Sequence, residues 1–315
     1  MIQNPMDVLT AYPVRKSKKQ KQAFREDVLQ YAQSLGYEGK VEKGSFGSQN
    51  VIFGDPKTAK YLITAHYDTC ARLPFPNLIT PCSFWTFMGY QLVMTLFMLL
   101  PLFVVTLGVM LLTDDADLAF WIGYLTLWVD ILFMFLGPAN RHNANDNTSG
   151  VVTVLQTMAA LPAEDRENVA FILFDLEEAG LWGSASYQGN HKKETKNQIV
   201  LNLDCVGDGD EILLFPTGKL KKDEEKLAIL RTLCGVTGDK SIALREKGFQ
   251  VYPSDQRNFP YGVGIAAFRR NRFGTLYCSR IHTSKDTILE EENVAILSEK
   301  LVKLLQTTKE KTMEE

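Results

Sequence analysis

His66, Asp146, Glu178, Asp204 and His282 follow one another along a 315-residue chain, each close to where a β-rich run should end, and Glu177 stands directly before the third of them. Imidazoles and carboxylates without thiols suit a catalytic zinc site that also holds water. A carboxylate shared between two such ligand sets would hold two cations about 3.5–4 Å apart, the arrangement of a two-metal hydrolase. Several of these residues also have a plainer reading, the adjacent Glu177 and Glu178 as a solvated pair. In TAHYDT a strand delivers His66 at its end and Asp68 two residues on, on the same side of an extended chain. Asp68 can then accept the ring N–H that a metal-bound His leaves over, or the pair can be structural. In HNANDNTSG, Asp146 either bridges cations or caps the helix that follows, and His142 and Asn145 have no defined task. In FDLEEAGLWGS the adjacent Glu177 and Glu178 follow a buried run, so one can bind metal while the other serves as general base. LNLDCVGDGD supplies Asp204, with Asp208 and Asp210 beyond it, and RIHTSKDT supplies His282, with Asp286 four residues later. His191, in GNHKKE, reads as a solvated residue.

These residues need a scaffold, and the pattern around them describes one. Residues 51–54, 61–66, 169–176, 199–206, 211–216 and 264–268 read as strands, several apolar throughout, as strands buried on both faces are. Residues 15–35, stopped by Gly36, and residues 151–161, 222–236 and 288–306 have helical periodicity. Alternation of the two implies an α/β three-layer sandwich with a mostly parallel, mixed central sheet. In such sheets ligands gather at the carboxyl ends of strands, where Asp68, Glu177, Glu178 and Asp204 fall.

The totals exclude some functions. With 34 Lys and Arg against 37 Asp and Glu, the formal charge of −3 offers no electrostatic case for nucleic acid as a partner. The cysteines at 70, 82, 205, 234 and 278 form no CxxC pair, which reads as free thiols in a reducing compartment. Residues 1–20 contain no apolar run resembling a secretory signal.

Between the first two candidate ligands lies a segment of another kind. Residues 84–113 carry no charge, and residues 118–137 form a second apolar run broken only by Asp130. A bilayer core requires about 20 apolar residues in a helix, so both runs are long enough, with Pro101 a possible kink in the first. A buried helical hairpin or an apolar arm for dimerisation is the other way to use such residues. A transmembrane hairpin at 83–137 would return the chain to one side, leaving residues 1–82 and 138–315 to form a single catalytic domain. Arg72 and Arg141 flank the spans, Asp114, Asp115 and Asp117 occupy the turn, and Trp85, Tyr90, Trp121, Tyr124 and Trp128 supply interfacial aromatics. The positive-inside rule then places the catalytic domain in the cytoplasm. Asp130, costly within a span, is a functional group, lies near the interface or pairs across the hairpin.

HYDT at 66–69, NDNTSG at 145–150, DLEEAGLWGS at 175–184, NLDCVG at 202–207 and HTSKDT at 282–287 together resemble the co-catalytic two-zinc aminopeptidase family, which also contains the glutaminyl cyclases. The resemblance spans most of residues 20–306 apart from the apolar insert. It implies one zinc on His66 and Asp204, a second on Glu178 and His282, Asp146 as the bridge, Glu177 as general base and Asp68 as a catalytic-site residue. It implies a membrane-anchored aminopeptidase acting on peptides, with a glutaminyl cyclase or an inactive peptidase-fold scaffold as alternatives. Position of the insert suggests apolar peptide substrates. SDQRNF at 254–259 departs from the family in having Gln256 where a His is frequent, which leaves the role of Asp255 open.

Overall fold

The runs that are apolar throughout become the middle of a ten-stranded mixed sheet in the computed structural model, which describes residues 1–73, 75 and 77–314, with side chains up to residue 307. The first part of the chain supplies α1 (Asp7–Ala11), α2 (Lys18–Ser34), β1 (Gly39–Lys43), β2 (Gln49–Phe53) and β3 (Tyr61–His66). After β3 come two long helices, α3 (Phe84–Thr113) and α4 (Ala116–Leu136). The sheet resumes through α5 (Gly150–Ala160), β4 (Val169–Phe174), α6 (Trp182–Asn190), β5 (Ile199–Leu203) and β6 (Glu211–Pro216). The remainder is α7 (Glu224–Leu233), β7 (Gly235–Thr237), β8 (Lys240–Leu244), β9 (Gly262–Arg270), β10 (Leu276–Tyr277) and α8 (Glu291–Glu314).

Strand order is β1-β2-β4-β3-β5-β9-β6-β8-β7, with β10 paired to β9. The expected parallel core is β4-β3-β5-β9, and antiparallel pairs extend it on both sides. Alternate residues of the core strands point to opposite layers. Tyr61, Ile63 and Ala65 of β3 join Phe171, Leu201 and Ile265 beneath residues of α2, α5, α7 and α8. Leu62, with Ile172, Phe174 and Val200, instead meets Tyr187 of α6 and Phe259. Helices on both faces of one sheet make the three-layer sandwich. The helix at α2 begins later than expected because Ser17 forms a capping box with Gln20.

Among the described residues α3 buries no side chain and α4 buries only Ala119 and Gly123, so the hairpin is not a buried core element. Both helices are long and apolar enough to cross a membrane. The two are in close contact where Gly123 lies against Thr106 and Leu102. With 30 residues against 21, α3 outruns α4 by about 13 Å. That extra length begins against the loop before β9, where Phe84 and Phe87 meet the ring of Phe249. At the other helix, Lys16 Nζ donates to the Phe135 carbonyl at 2.6 Å. Asp130 is half-buried, and its Oδ2 has no hydrogen-bond partner among the described residues, so the expected pairing across the hairpin is not seen at that oxygen. His191 is a correction as well. It is half-buried rather than solvated, stacked on Tyr187 with Nε2 2.9 Å from Glu42.

Candidate metal centre

Register across the parallel core decides which side chains meet. His66, the last residue of β3, is level with Phe174, the last of β4, so the Glu177–Glu178 corner begins beside the imidazole. Asp204 leaves the end of β5, the neighbour of β3 on its other side, and its N–H donates to Ile265 of β9. Asp146 comes from the turn before α5 and His282 from the loop between β10 and α8.

All five expected ligands converge. Asp146 is buried between the two imidazoles, with Oδ1 3.2 Å from His66 Nε2 and Oδ2 2.9 Å from His282 Nε2. On the first side, Asp204 Oδ1 lies 3.7 Å from His66 Nε2. On the second, Glu178 Oε2 lies 3.3 Å from His282 Nε2. Glu177 belongs to the first side, forming one compact group of donor atoms with His66 and Asp204.

The supporting bonds explain how each side chain is held. His66 Nδ1 lies 3.2 Å from the main-chain carbonyl of Asp68. A carbonyl accepts only, so Nδ1 carries a proton, and Nε2 is the nitrogen that faces the pocket. The ring is therefore oriented by the Asp68 backbone rather than by the expected carboxylate, whose nearer oxygen is 3.6 Å away. That carboxylate instead accepts the N–H of Glu177 at 3.1 Å and of Glu178 at 3.3 Å, fixing the acidic corner. Asp146 does not cap α5. Asn147 Oδ1 accepts from Gly150 at 3.0 Å and does that work, which leaves both Asp146 oxygens in the pocket. The Asp146–Asn147 peptide is cis. Asn145 Oδ1 accepts the Gly207 N–H at 2.7 Å, tying the same turn to the chain beyond Asp204.

Several residues around the ligands were not assigned from sequence. Asp286 accepts the N–H groups of Asn145 at 2.8 Å and Asp146 at 3.0 Å, so the loop carrying His282 also clamps the bridging residue. Arg15 is fully buried below the site, donating to the carbonyls of Tyr67 and Tyr12 and to Thr148 Oγ1. Nothing in VRKSKK marks it apart from its exposed basic neighbours. Asp208, by contrast, lies away from the centre in ion pairs with Arg269 and Arg280, and Asp210 pairs with Lys240. His142 is exposed. Asp255 is buried and accepts from Ser184 Oγ through one oxygen, the other having no partner among the described residues, while Gln256 bonds Asn202 and the Tyr252 carbonyl.

The electrostatics are those of a pocket short of positive charge. Burial alone would lower the His66 imidazole, yet Glu177, Asp146, Asp204 and Asp68 hold it well above its ordinary value. His282 is likewise pushed up to about 9 against burial, chiefly by Glu178 and Asp146. Asp146 is held well below the usual carboxylate range despite burial, because both imidazoles bond to it. Burial and Asp146 push Glu178 up to about 8 even beside His282. Burial also lifts Glu177 well above its ordinary value, helped by Glu178, Asp204 and Asp255. Asp255 and Asp286 are each raised to about 7, mainly by burial, and burial lowers Arg15 to about 10 despite Asp68 and Asp146 nearby. Carboxylates that keep their protons for want of a partner are what a bound cation would ionise.

The distances fit such a cation. For zinc with arms of about 2.1 Å, two ligand atoms of a tetrahedron lie about 3.4 Å apart, and the four contacts of the imidazoles run from 2.9 to 3.7 Å.

Comparison with known proteins agrees with this geometry. The model of peptidase family M28 matches residues 129–300, more than half of the chain. The match takes in Asp146, Glu177, Glu178, Asp204 and His282, while His66 and Asp68 lie upstream of it. No curated protein sequence matches the chain significantly. Among solved structures, the chain is similar to a glutaminyl cyclase of Porphyromonas gingivalis at 15% identity, with a TM-score of 0.58 over 95% of this chain and 94% of that one. It is similar to the LapA aminopeptidase of Legionella pneumophila at 15% identity, with a TM-score of 0.56 over 96% and 68%. A Zn-dependent exopeptidase of Parabacteroides distasonis matches at 13% identity, with a TM-score of 0.55 over 94% and 93%. At such identities these likenesses speak for the fold.

Proposed function

Because the chain belongs to peptidase family M28, we propose that it is a two-zinc aminopeptidase anchored in a membrane by α3 and α4. The observation that carries the catalytic part is the division of Asp146, one oxygen toward His66 and the other toward His282. His66 and Asp204 would hold one ion, Glu178 and His282 the other, with Asp146 between them. When bound, the cations would supply the charge that polarises the scissile carbonyl and makes water nucleophilic near neutral pH.

The protein's own groups do the rest. Glu177 takes a proton from the attacking water at a carboxylate oxygen and returns it to the leaving amine. Asp68 keeps Glu177 in place through its backbone N–H, and Asp286 does the same for Asp146. The acidic groups left over suit the free α-amino group of a substrate, consistent with removal of single N-terminal residues.

In this reading residues 1–82 and 138–315 form the peptidase unit, and residues 83–137 are an inserted membrane hairpin. Lys16, Arg72 and Arg141 lie on the catalytic side and Asp114, Asp115 and Asp117 in the turn, which puts the catalytic unit in the cytoplasm by the positive-inside rule. Apolar peptides presented at the bilayer fit the wall of the site. Leu73 N–H donates to the His282 carbonyl at 2.9 Å, and two residues on Phe75 meets Phe97 of α3.

Purified protein should carry two zinc ions per chain and release free amino acids from peptide N-termini. Glu177→Gln should lower kcat by about 10²–10⁴-fold with both ions retained. Normal hydrolysis by that variant would remove Glu177 as base. A pyroglutamyl product in place of free amino acids would instead make the protein a cyclase, since both activities occur on this fold.

A further inference from the structure

Three buried cysteines surround the centre, and they differ in what they face. Cys205 and Cys278 lie in an apolar cluster with Leu213, Phe215, Tyr252 and Phe268, although Cys205 also has a donor atom within 4.8 Å of one each from Asp146 and Asp204. Cys70 has no place in such a cluster. It lies in a group with Glu178 and His282 in which one donor atom of each residue is within 4.8 Å of the others. Its position follows from the segment that also supplies His66 and Asp68. Those residues and Cys70 are spaced by two along the chain leaving β3, the spacing that keeps side chains on one side of an extended backbone. The backbone at Cys70 is pinned, because its carbonyl accepts from Asn140 and Ala71 bridges to Ala139. A second observation marks the same side of the pocket: Glu178 Oε1 is buried without a hydrogen-bond partner among the described residues.

We propose that Cys70 is the fourth ligand of the ion held by His282, Glu178 and Asp146, an inference that rests on the two-ion reading above. On binding, the Cys70 S–H bond breaks, its proton leaves to water and a sulfur–metal bond forms, with no change in oxidation state. The weak contact of Sγ with Asn143 Oδ1, at 3.5 Å, is given up in exchange. The two ions then differ in kind. Four protein ligands close the second, as in structural zinc sites. The first has His66, Asp204 and Asp146, and its open position lies beside Glu177, which groups with His66 and Asp204 and not with Cys70. A thiolate also biases the second position toward zinc over manganese, which prefers oxygen donors.

Cobalt(II) replacement tests this without measuring activity. Metal-free protein titrated with cobalt should bind two ions per chain, one of them giving sulfur-to-cobalt charge-transfer absorption in the near ultraviolet. Cys70→Ser and Cys70→Ala should lose that band and bind the second ion at least about ten-fold more weakly, with metal-free melting unchanged from the parent. A chain carrying both Cys205→Ala and Cys278→Ala should keep the band. Two cobalt ions bound to the parent without the band would overturn the assignment, as would a band that survives Cys70→Ala or disappears with Cys205 and Cys278. A single bound ion in the parent would overturn the two-ion reading itself and the assignment with it.

Discussion

The metal pocket and the helical hairpin are opposite failures of solvation. The pocket takes Asp146, Asp204, Asp255 and Asp286 out of water with few positive charges to meet them. The hairpin does the reverse, leaving Leu96, Phe103, Leu111, Trp121 and Leu125 exposed on two long apolar helices. Either state would be costly in an isolated chain in water. Each would be relieved by one added component, a divalent cation in the first case and, in the proposed reading, lipid in the second. A buried surplus of one charge calls for a counter-charge just as an exposed apolar surface calls for apolar cover. The two regions are also adjacent in sequence and space, because the segment after Asp68 runs from the wall of the site to α3.

The largest expected effect comes from removing one region and asking whether the other survives. Replacing residues 84–136 by a short polar linker should move the protein from the membrane fraction to the soluble fraction while metal binding is retained. The intact protein in sealed right-side-out vesicles should keep its catalytic unit protected from added protease until the vesicles are opened. A hairpin-free chain that still sediments with membranes would break the comparison, and cleavage in sealed vesicles would reverse the orientation.

A smaller effect is expected where the pocket is sharpened from a distance. Asp286 touches no ligand atom. It accepts two N–H groups of the turn that carries Asp146. Asp286→Asn puts an amide donor where one of those acceptors was, so the turn should shift and metal affinity should fall about 10–100-fold, the cost typical of residues that orient ligands. Equilibrium dialysis against a zinc buffer measures this, and unchanged affinity would show that the turn is held by Asn145 and Asn147 alone.

Sequence reading reached most of the candidate ligands because they stand next to an element with a strong signal, whereas His282 was reached through the HTSKDT motif. The apolar runs of β3, β4 and β5 give positions to His66, Glu177, Glu178 and Asp204, and a polar turn before a helix marks Asp146. Residues that act through the backbone left no such trace. Asp286 and the Asp68 carboxylate bond N–H groups brought near only by folding, as Asn147 Oδ1 does in accepting from Cys205, and Arg15 is hidden in a basic run. The same holds for the fold. The strand β1, GKVEK, is mostly exposed and has no alternation to read, and β7 and β10 are only three and two residues long. His191 was misread because its ion-pair partner, Glu42, comes from β1, whereas the Tyr187 ring it stacks on lies in the helix that His191 ends.

The smallest effect concerns the hairpin's own packing and should leave the pocket untouched. A Cβ built on Gly123 would sit 1.9 Å from Thr106 Oγ1 and 3.1 Å from Leu102 Cδ1, so the two helices meet where α4 has no side chain. Two terms compete in Gly123→Ala. Alanine is favoured over glycine within a helix by about 0.8–1 kcal/mol, while forcing a methyl group into a packed contact costs about 1–3 kcal/mol. The contact should win, and the single variant should melt at lower temperature in detergent. Thr106→Ala removes the atom responsible, leaving only approaches beyond 3 Å, so in that background the same Gly123→Ala change should become stabilising by up to about 1 kcal/mol. That reversal of sign is the signature of a direct contact. Equal effects of Gly123→Ala in both backgrounds would mean that the helices do not cross at this point, and zinc content should be the same in all four proteins.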